Sequence, residues 1–317
     1  MGLDDDGGGG RGSGAAADGV GPGGFGPGTP GRRRLLRAAL GTGGLAVAGA
    51  GAAVALSAGR RPSGRRPSGR LPSGPAPSGP SLRTEEERSA ARGGALVTMI
   101  TIVPQGVARP AGLPVCVALH GRRATARAWT DLGLPAILDA AFASGVPPFA
   151  VVAVDGGDAT YWRRTASGDD PQRMLLEELP GRLARQGLRA PDAAMGISMG
   201  GFGSLRYARN RGAGFGPVAV LSPALFRSWA DADAVGVFRD EADWRAHEPL
   251  LHQDQPHGRP TGVWCGTEDP FCAAARELTG DPVQARFTPG GHDAPYWRKV
   301  LPDVVSFLGH ALAARGA

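Results

Sequence analysis

The 317-residue chain carries 35 Lys and Arg against 29 Asp and Glu, a formal charge of +6, and only three cysteines. Ten Arg and four Asp fall in residues 1–80, which leaves 25 basic and 25 acidic residues for the remainder. The bulk of the chain is therefore neutral, and its charge gives no reason to expect nucleic-acid binding. Cys116, Cys265 and Cys272 are too few for a disulfide scaffold, and about 235 residues beyond the basic leader suffice for one domain with its own core.

Residues 1–58 read as a Gly-rich leader. Arg32-Arg33-Arg34-Leu35-Leu36-Arg37 fits the pattern read by the twin-arginine export machinery. The stretch from Ala38 to Ala58 is Ala/Gly-rich and free of acidic residues. Such weak hydrophobicity suits a signal better than a stable span, with an uncleaved membrane anchor as the alternative. Ala53-Val54-Ala55 offers a small-residue cleavage site. The triplet Pro-Ser-Gly recurs at 62, 67, 72 and 77, interleaved with Arg and Pro. It has nothing to bury, so 59–84 is expected to be a disordered tether that holds the domain off a membrane or in a cell wall. The location implied is extracellular or associated with the cell envelope.

From Ala95 onward apolar runs alternate with amphipathic segments, the pattern of a mostly parallel sheet covered by helices on both faces, and 85–317 is read as one catalytic domain. Strands are expected over Leu96–Val103, Pro114–Leu119 and Phe149–Val154, with a helix over Leu134–Ala143 and another over Pro171–Gln186. Ala193–Ile197 reads as the central strand, running into a helix over Met199–Arg209. Strands follow at Pro217–Leu221, Thr261–Cys265 and Val283–Phe287, and Pro302–Ala314 closes the chain as a helix. Cys265 and Cys272, six residues apart around a turn, can be bridged or free on this reading.

Gly196-Ile197-Ser198-Met199-Gly200 matches the tight strand-to-helix turn G-x-S-x-G, which lifts a serine oxygen out of a sheet. In a chain with 52 Gly the match alone is weak, and its context between a strand and a helix carries the weight. A serine hydroxyl needs an imidazole to accept its proton. Among six histidines, His292 in Pro289-Gly290-Gly291-His292-Asp293 follows the last strand and precedes a helix. His310 lies inside the terminal helix, His247, His252 and His257 lie in a polar stretch, and His120 ends an early strand. An acid should follow a strand between serine and histidine, to orient the ring and offset its charge. Asp269 does so, with Glu268 as its rival and helix capping as its plain structural alternative. Ser198, Asp269 and His292 thus form the expected catalytic set, in α/β-hydrolase order. Two backbone amides should receive the oxyanion, Met199 after the nucleophile and Arg122 in His120-Gly121-Arg122. His120, Tyr161 and Trp162 are expected to line the substrate pocket, with core packing equally well supported for Trp162, and Trp297 is expected to pack beneath the histidine loop.

These residues resemble the esterase family of the α/β-hydrolase fold that includes esterase D, the enterochelin esterases and the antigen 85 mycolyltransferases, and more closely its secreted actinobacterial members. The resemblance spans about residues 85–315. Its carriers are His120-Gly121, Asp155-Gly156-Gly157 with Tyr161-Trp162, Met174–Pro180, Gly196–Gly201, Gly266–Asp269, and Gly291-His292 with Tyr296-Trp297. It implies ester hydrolysis through an acyl-serine, or transfer of the acyl group to a sugar or glycerol hydroxyl, on small-molecule, lipid or sugar esters. Antigen 85 enzymes carry Glu in place of Asp269 and a longer chain between nucleophile and histidine. The shorter insert here implies a small cap and an open cleft, which speaks against a very long acyl chain. A third reading is a wall-associated binding protein that does no chemistry. No metal-ligand cluster, phosphate loop or dinucleotide fingerprint is seen, so no cofactor is implied.

Overall fold

A computed structural model describes residues 81–107, 109–253, 259–278 and 283–316. Eight strands form one sheet: β1 (Ser81–Ser89), β2 (Ala95–Val103), β3 (Val115–Leu119), β4 (Ala150–Val154), β5 (Ala193–Ile197), β6 (Val218–Leu221), β7 (Thr261–Gly266) and β8 (Val283–Thr288). Their order is β1-β2-β4-β3-β5-β6-β7-β8. β1 and β2 pair antiparallel with each other, β2 pairs antiparallel with β4, and all later pairings are parallel. This is the α/β-hydrolase fold.

The inner parallel strands β3, β4, β5 and β6 are short and uninterruptedly apolar because both of their faces are covered. In β3, Val115, Val117 and Leu119 enter one core while Cys116 and Ala118 enter the other. β4 repeats this, with Ala150, Val152 and Val154 on one side and Val151 and Ala153 on the other. Helix Met199–Arg211 covers the first face beside Trp162 and Met174, and helix Ala294–Gly316 covers the second with Val300, Leu301, Val304, Val305 and Leu308.

The structure departs from the sequence reading in three places. β1 begins at Ser81, so residues 81–84 belong to the sheet and not to a tether. Its sequence SLRTEEERS has little apolar content because it is an edge strand, where charges discourage pairing with other chains. The helix expected over Pro171–Gln186 is interrupted by a π-helical turn at Met174–Glu178, closed by the Leu179 amide on the Met174 carbonyl. Pro180 lacks an N–H and crowds the carbonyl four residues back, which accounts for the wider turn. The terminal helix starts at Ala294 and carries Pro302 inside it. Of the two states left open for Cys265 and Cys272, the structure has the free one, and all three cysteines are buried.

The twin-arginine pattern, the Ala38–Ala58 stretch, the Pro-Ser-Gly repeats up to residue 80, and His257 lie outside the described residues. Among the described residues no helix is long and apolar enough to cross a membrane.

Candidate active site

Five non-glycine residues among those described have positive φ: Arg123 at 58°, Tyr161 at 50°, Trp162 at 51°, Ser198 at 55° and Ser222 at 47°. They lie in the segments that follow β3, β4, β5 and β6, at the carboxyl rim of the parallel sheet. Left-handed backbone costs an L-residue about 1–3 kcal/mol, so its concentration on one rim marks where the fold gives up stability for geometry.

Ser198 stands at the sharpest of these turns, with φ 55° and ψ −119°, between the end of β5 and the start of helix Met199–Arg211. Its amide donates to the Leu221 carbonyl of β6, which pins the turn to the sheet. The helix approaches β3 so closely that a Cβ on Gly200 would stand 1.9 Å from the Leu119 carbonyl oxygen. Only glycine fits there.

Three side chains from distant parts of the sequence meet over this turn. The Ser198 hydroxyl donates to His292 Nε2 at 2.9 Å, and His292 Nδ1–H donates to Asp269 Oδ2 at 2.8 Å. The Asp269 side chain is fully buried while the ring of His292 keeps 23% exposure. Burial alone would raise the Asp269 pKa, but bonds from His292, the Phe271 amide and the Ser222 hydroxyl together hold it below the ordinary carboxylate value. The imidazole is wedged between Phe271, at 5.2 Å, and Trp297, at 5.3 Å and edge-on, as expected for a tryptophan under the histidine loop. Trp297 Nε1 in turn donates to Ser222 Oγ at 3.0 Å.

Glu268, the rival acid, points elsewhere. Its carboxylate accepts from the Gly290 amide at 2.5 Å and from Thr267 Oγ1 at 2.8 Å, bracing the histidine loop from outside. The remaining described histidines bind local backbone: His247 to Asp243, His252 to Arg245 and His310 to Ser306.

Neither the Met199 nor the Arg122 amide finds a partner among the described residues. Met199 follows Ser198 directly, and a Cβ on Gly121, the residue before Arg122, would lie 3.5 Å from Ser198 Cβ. Both amides therefore flank the nucleophile without an internal acceptor, as an oxyanion site requires.

Of the three residues expected to line the pocket, His120 and Tyr161 are placed otherwise, and Trp162 takes the core position that was its alternative. His120 is 1% exposed. Its Nδ1–H donates to the Gly121 carbonyl at 2.8 Å and its Nε2 accepts from the Gly156 amide at 2.9 Å, which fixes a neutral ring. Burial pushes its pKa down, against the bond to the Gly121 carbonyl and the nearby Asp155 carboxylate, which favour the cation. It ties the loop after β3 to the loop after β4 and does not face substrate. Trp162 is fully buried, donates from Nε1 to the His120 carbonyl at 3.2 Å, and packs so tightly on helix Met199–Arg211 that a Cβ on Gly203 would come within 2.4 Å of it. Tyr161 is 3% exposed, its ring packed against Phe202, Phe226 and Phe238 behind the site. Apolar mass at a strand end is as useful to the core as to a pocket, and here the core has it.

Sequence reasoning missed Ser222 and Phe271. Ser222 follows β6, next to β5 in the sheet, and its place beside the nucleophile strand is the one signal that points to it. Among the described residues no group of His, Cys, Asp and Glu is arranged to hold a metal ion.

Residues 94–308, about two thirds of the chain, match the family described as "Putative esterase". The chain belongs to that family. Membership makes this esterase-family protein an enzyme of the hydrolase kind, with ester hydrolysis or acyl transfer as its reaction class. No curated protein sequence matches it. Solved structures that resemble it include a ferulic acid esterase, with TM-score 0.62 and 19% identity over 74% of this chain and 98% of that one. An S-formylglutathione hydrolase from Agrobacterium tumefaciens gives 0.60 and 18% over 74% and 96%. MPT51 from Mycobacterium tuberculosis gives 0.58 and 19% over 73% and 98%. At these identities the likeness speaks for the shared fold alone.

Proposed function

We propose that this esterase-family protein is an exported serine esterase that cleaves carboxylic esters through an acyl-serine intermediate. The observation that carries the reading is the unbroken chain Ser198 Oγ to His292 Nε2, His292 Nδ1 to Asp269 Oδ2, standing on a strained turn at the sheet rim.

In this mechanism Ser198 Oγ attacks the ester carbonyl as its proton passes to His292 Nε2, and Asp269 stabilises the imidazolium without taking the proton. The negative oxygen of the tetrahedral intermediate is met by the Met199 and Arg122 amides. Collapse breaks the bond to the alcohol oxygen, which leaves with the proton from His292, and Ser198 remains acylated. Water then takes the place the alcohol left, gives its proton to His292 Nε2 and attacks the acyl carbon, and collapse breaks the bond to Ser198 Oγ, which recovers the proton from His292 as the acid is released. An alcohol in place of water would make the same site an acyltransferase.

The decisive variant is Ser198→Ala in the full-length protein, expected to lower kcat on p-nitrophenyl butyrate by about 10⁴- to 10⁶-fold. Turnover at the wild-type rate would refute the serine mechanism. Product analysis with added glycerol or trehalose separates free acid from transferred acyl group. Export is supported by Arg32–Arg37 and the Ala/Gly-rich segment behind it. Retention in the cytoplasm of a host with an intact twin-arginine pathway would refute it.

A further inference from the structure

The loop that presents the second oxyanion amide is also the most cationic part of the site. Arg122 and Arg123 are both exposed, and among the described residues neither guanidinium is paired with a carboxylate. The carboxylates around them are otherwise committed or do not reach. Asp269 is buried against His292, Glu268 braces Gly290, and Asp158 accepts the Arg123 amide through its backbone carbonyl without forming an ion pair.

The loop is also held rigidly. His120 anchors it to Gly156, Arg123 is fixed at φ 58°, and Gly121 lies against the Ser198 side chain. Arg122 is thus one residue from the nucleophile contact, with its amide beside the reacting carbonyl. The positive field of its guanidinium reaches the Tyr161 hydroxyl, whose pKa burial pushes up to about 12 against that field. Beyond the nucleophile the rings of Phe226, Phe271 and His292 follow one another in contact. An exposed guanidinium with no carboxylate partner is free to grip a carboxylate, phosphate or sulfate with two parallel bonds.

Resting on the serine-esterase reading, we infer that the Arg122 side chain is a specificity determinant that selects esters bearing an anionic group close to the scissile carbonyl. The charge can stand on the acyl or the alcohol half, and both halves are tested.

The experiment compares full-length wild type with Arg122→Gln, Arg122→Lys and Arg123→Gln on matched esters. The acyl pair is the 4-nitrophenyl monoester of glutaric acid against 4-nitrophenyl pentanoate, and the alcohol pair is 4-acetoxybenzoate against its methyl ester. The readout is the ratio of kcat/KM for the anionic ester to that for its neutral match, so that any general loss from disturbing the loop cancels. Arg122→Gln is expected to lower this ratio about tenfold in one of the two pairs, through KM, and Arg122→Lys to recover much of it. Added salt should shrink the wild-type preference, since the site is open to solvent. An unchanged ratio in both pairs for Arg122→Gln overturns the inference, and an equal fall in Arg123→Gln overturns its assignment to Arg122. Neither result touches the serine mechanism, which falls only if Ser198→Ala still turns over these same esters at the wild-type rate.

Discussion

Asp269 at the rim and Glu248 in the insert between β6 and β7 are both buried carboxylates, and both accept bonds from three donors. Asp269 takes them from the Phe271 amide, the Ser222 hydroxyl and His292. Glu248, with no exposed surface, takes them from the Phe226 amide at 3.2 Å, Trp244 Nε1 at 3.1 Å and the Leu250 amide at 3.3 Å. Yet the pKa of Asp269 is lowered, while burial pushes that of Glu248 up to about 7. One donor makes the difference: His292 can itself become a cation, and no donor to Glu248 can. Neutral dipoles offset part of the desolvation of a buried charge, and an opposite charge is needed to reverse its sign.

The comparison breaks most visibly at Asp269. Asp269→Asn keeps the size and the Phe271 contact but removes the charge that stabilises the imidazolium, and it invites the wrong ring tautomer. A fall in kcat of about 10⁴-fold is expected, with KM little changed. Steady-state kinetics decide it, and a loss below tenfold would show that Asp269 only caps the turn at Phe271.

Glu248 tests the other half. Its pKa in the folded protein lies above that of an unfolded glutamate, so between the ordinary carboxylate range and about pH 7 the folded state binds the extra proton. Stability from this group is therefore greatest at the acid end and declines as pH rises to about 7, by at most about 3 kcal/mol. Glu248→Gln should remove that decline, so denaturant melts at pH 5 and pH 8 should differ less for the variant than for wild type. An identical pH dependence would mean that Glu248 stays ionised in the fold. The effect reaches the site, because Glu248 holds the Phe226 amide, Phe226 packs on Phe271, and Phe271 packs on His292.

The sheet interior was legible in the sequence because β3 to β7 are buried on both faces, so their apolar runs state their role without any knowledge of neighbours. β1 was not legible: its nine residues form a strand only because β2 offers a partner, and nothing local distinguishes them from a charged tether. The meeting of Ser198, Asp269 and His292 follows from where strands end, which the sequence marks with glycine, proline and a change of pattern. What a buried His120 or Tyr161 faces depends on side chains from other loops, and strand-end position alone misplaced both while leaving Trp162 open between pocket and core. Ser222 escaped notice because a hydroxyl after a strand has no pattern of its own until β6 is known to lie beside β5.

Ser222 gives the smallest effect and the finest test of the comparison, since it removes from Asp269 a neutral donor while leaving the cationic one. Ser222→Ala should lower kcat by about tenfold or less, the worth of one hydrogen bond to a charged group, and should leave Trp297 Nε1 without its acceptor at a cost of about 1–2 kcal/mol in stability. The residue also sits at φ 47°, which alanine tolerates no better than serine. Ser222→Gly loses the same hydroxyl but fits that backbone, so the two variants should share one activity loss while the glycine variant is at least as stable in denaturant melts. If the glycine variant instead recovers activity, the strained backbone and not the hydroxyl is what Ser222 contributes to the site. If both variants lose as much as Asp269→Asn, the distinction between neutral and cationic donors fails, because one dipole would then matter as much to the carboxylate as its own charge.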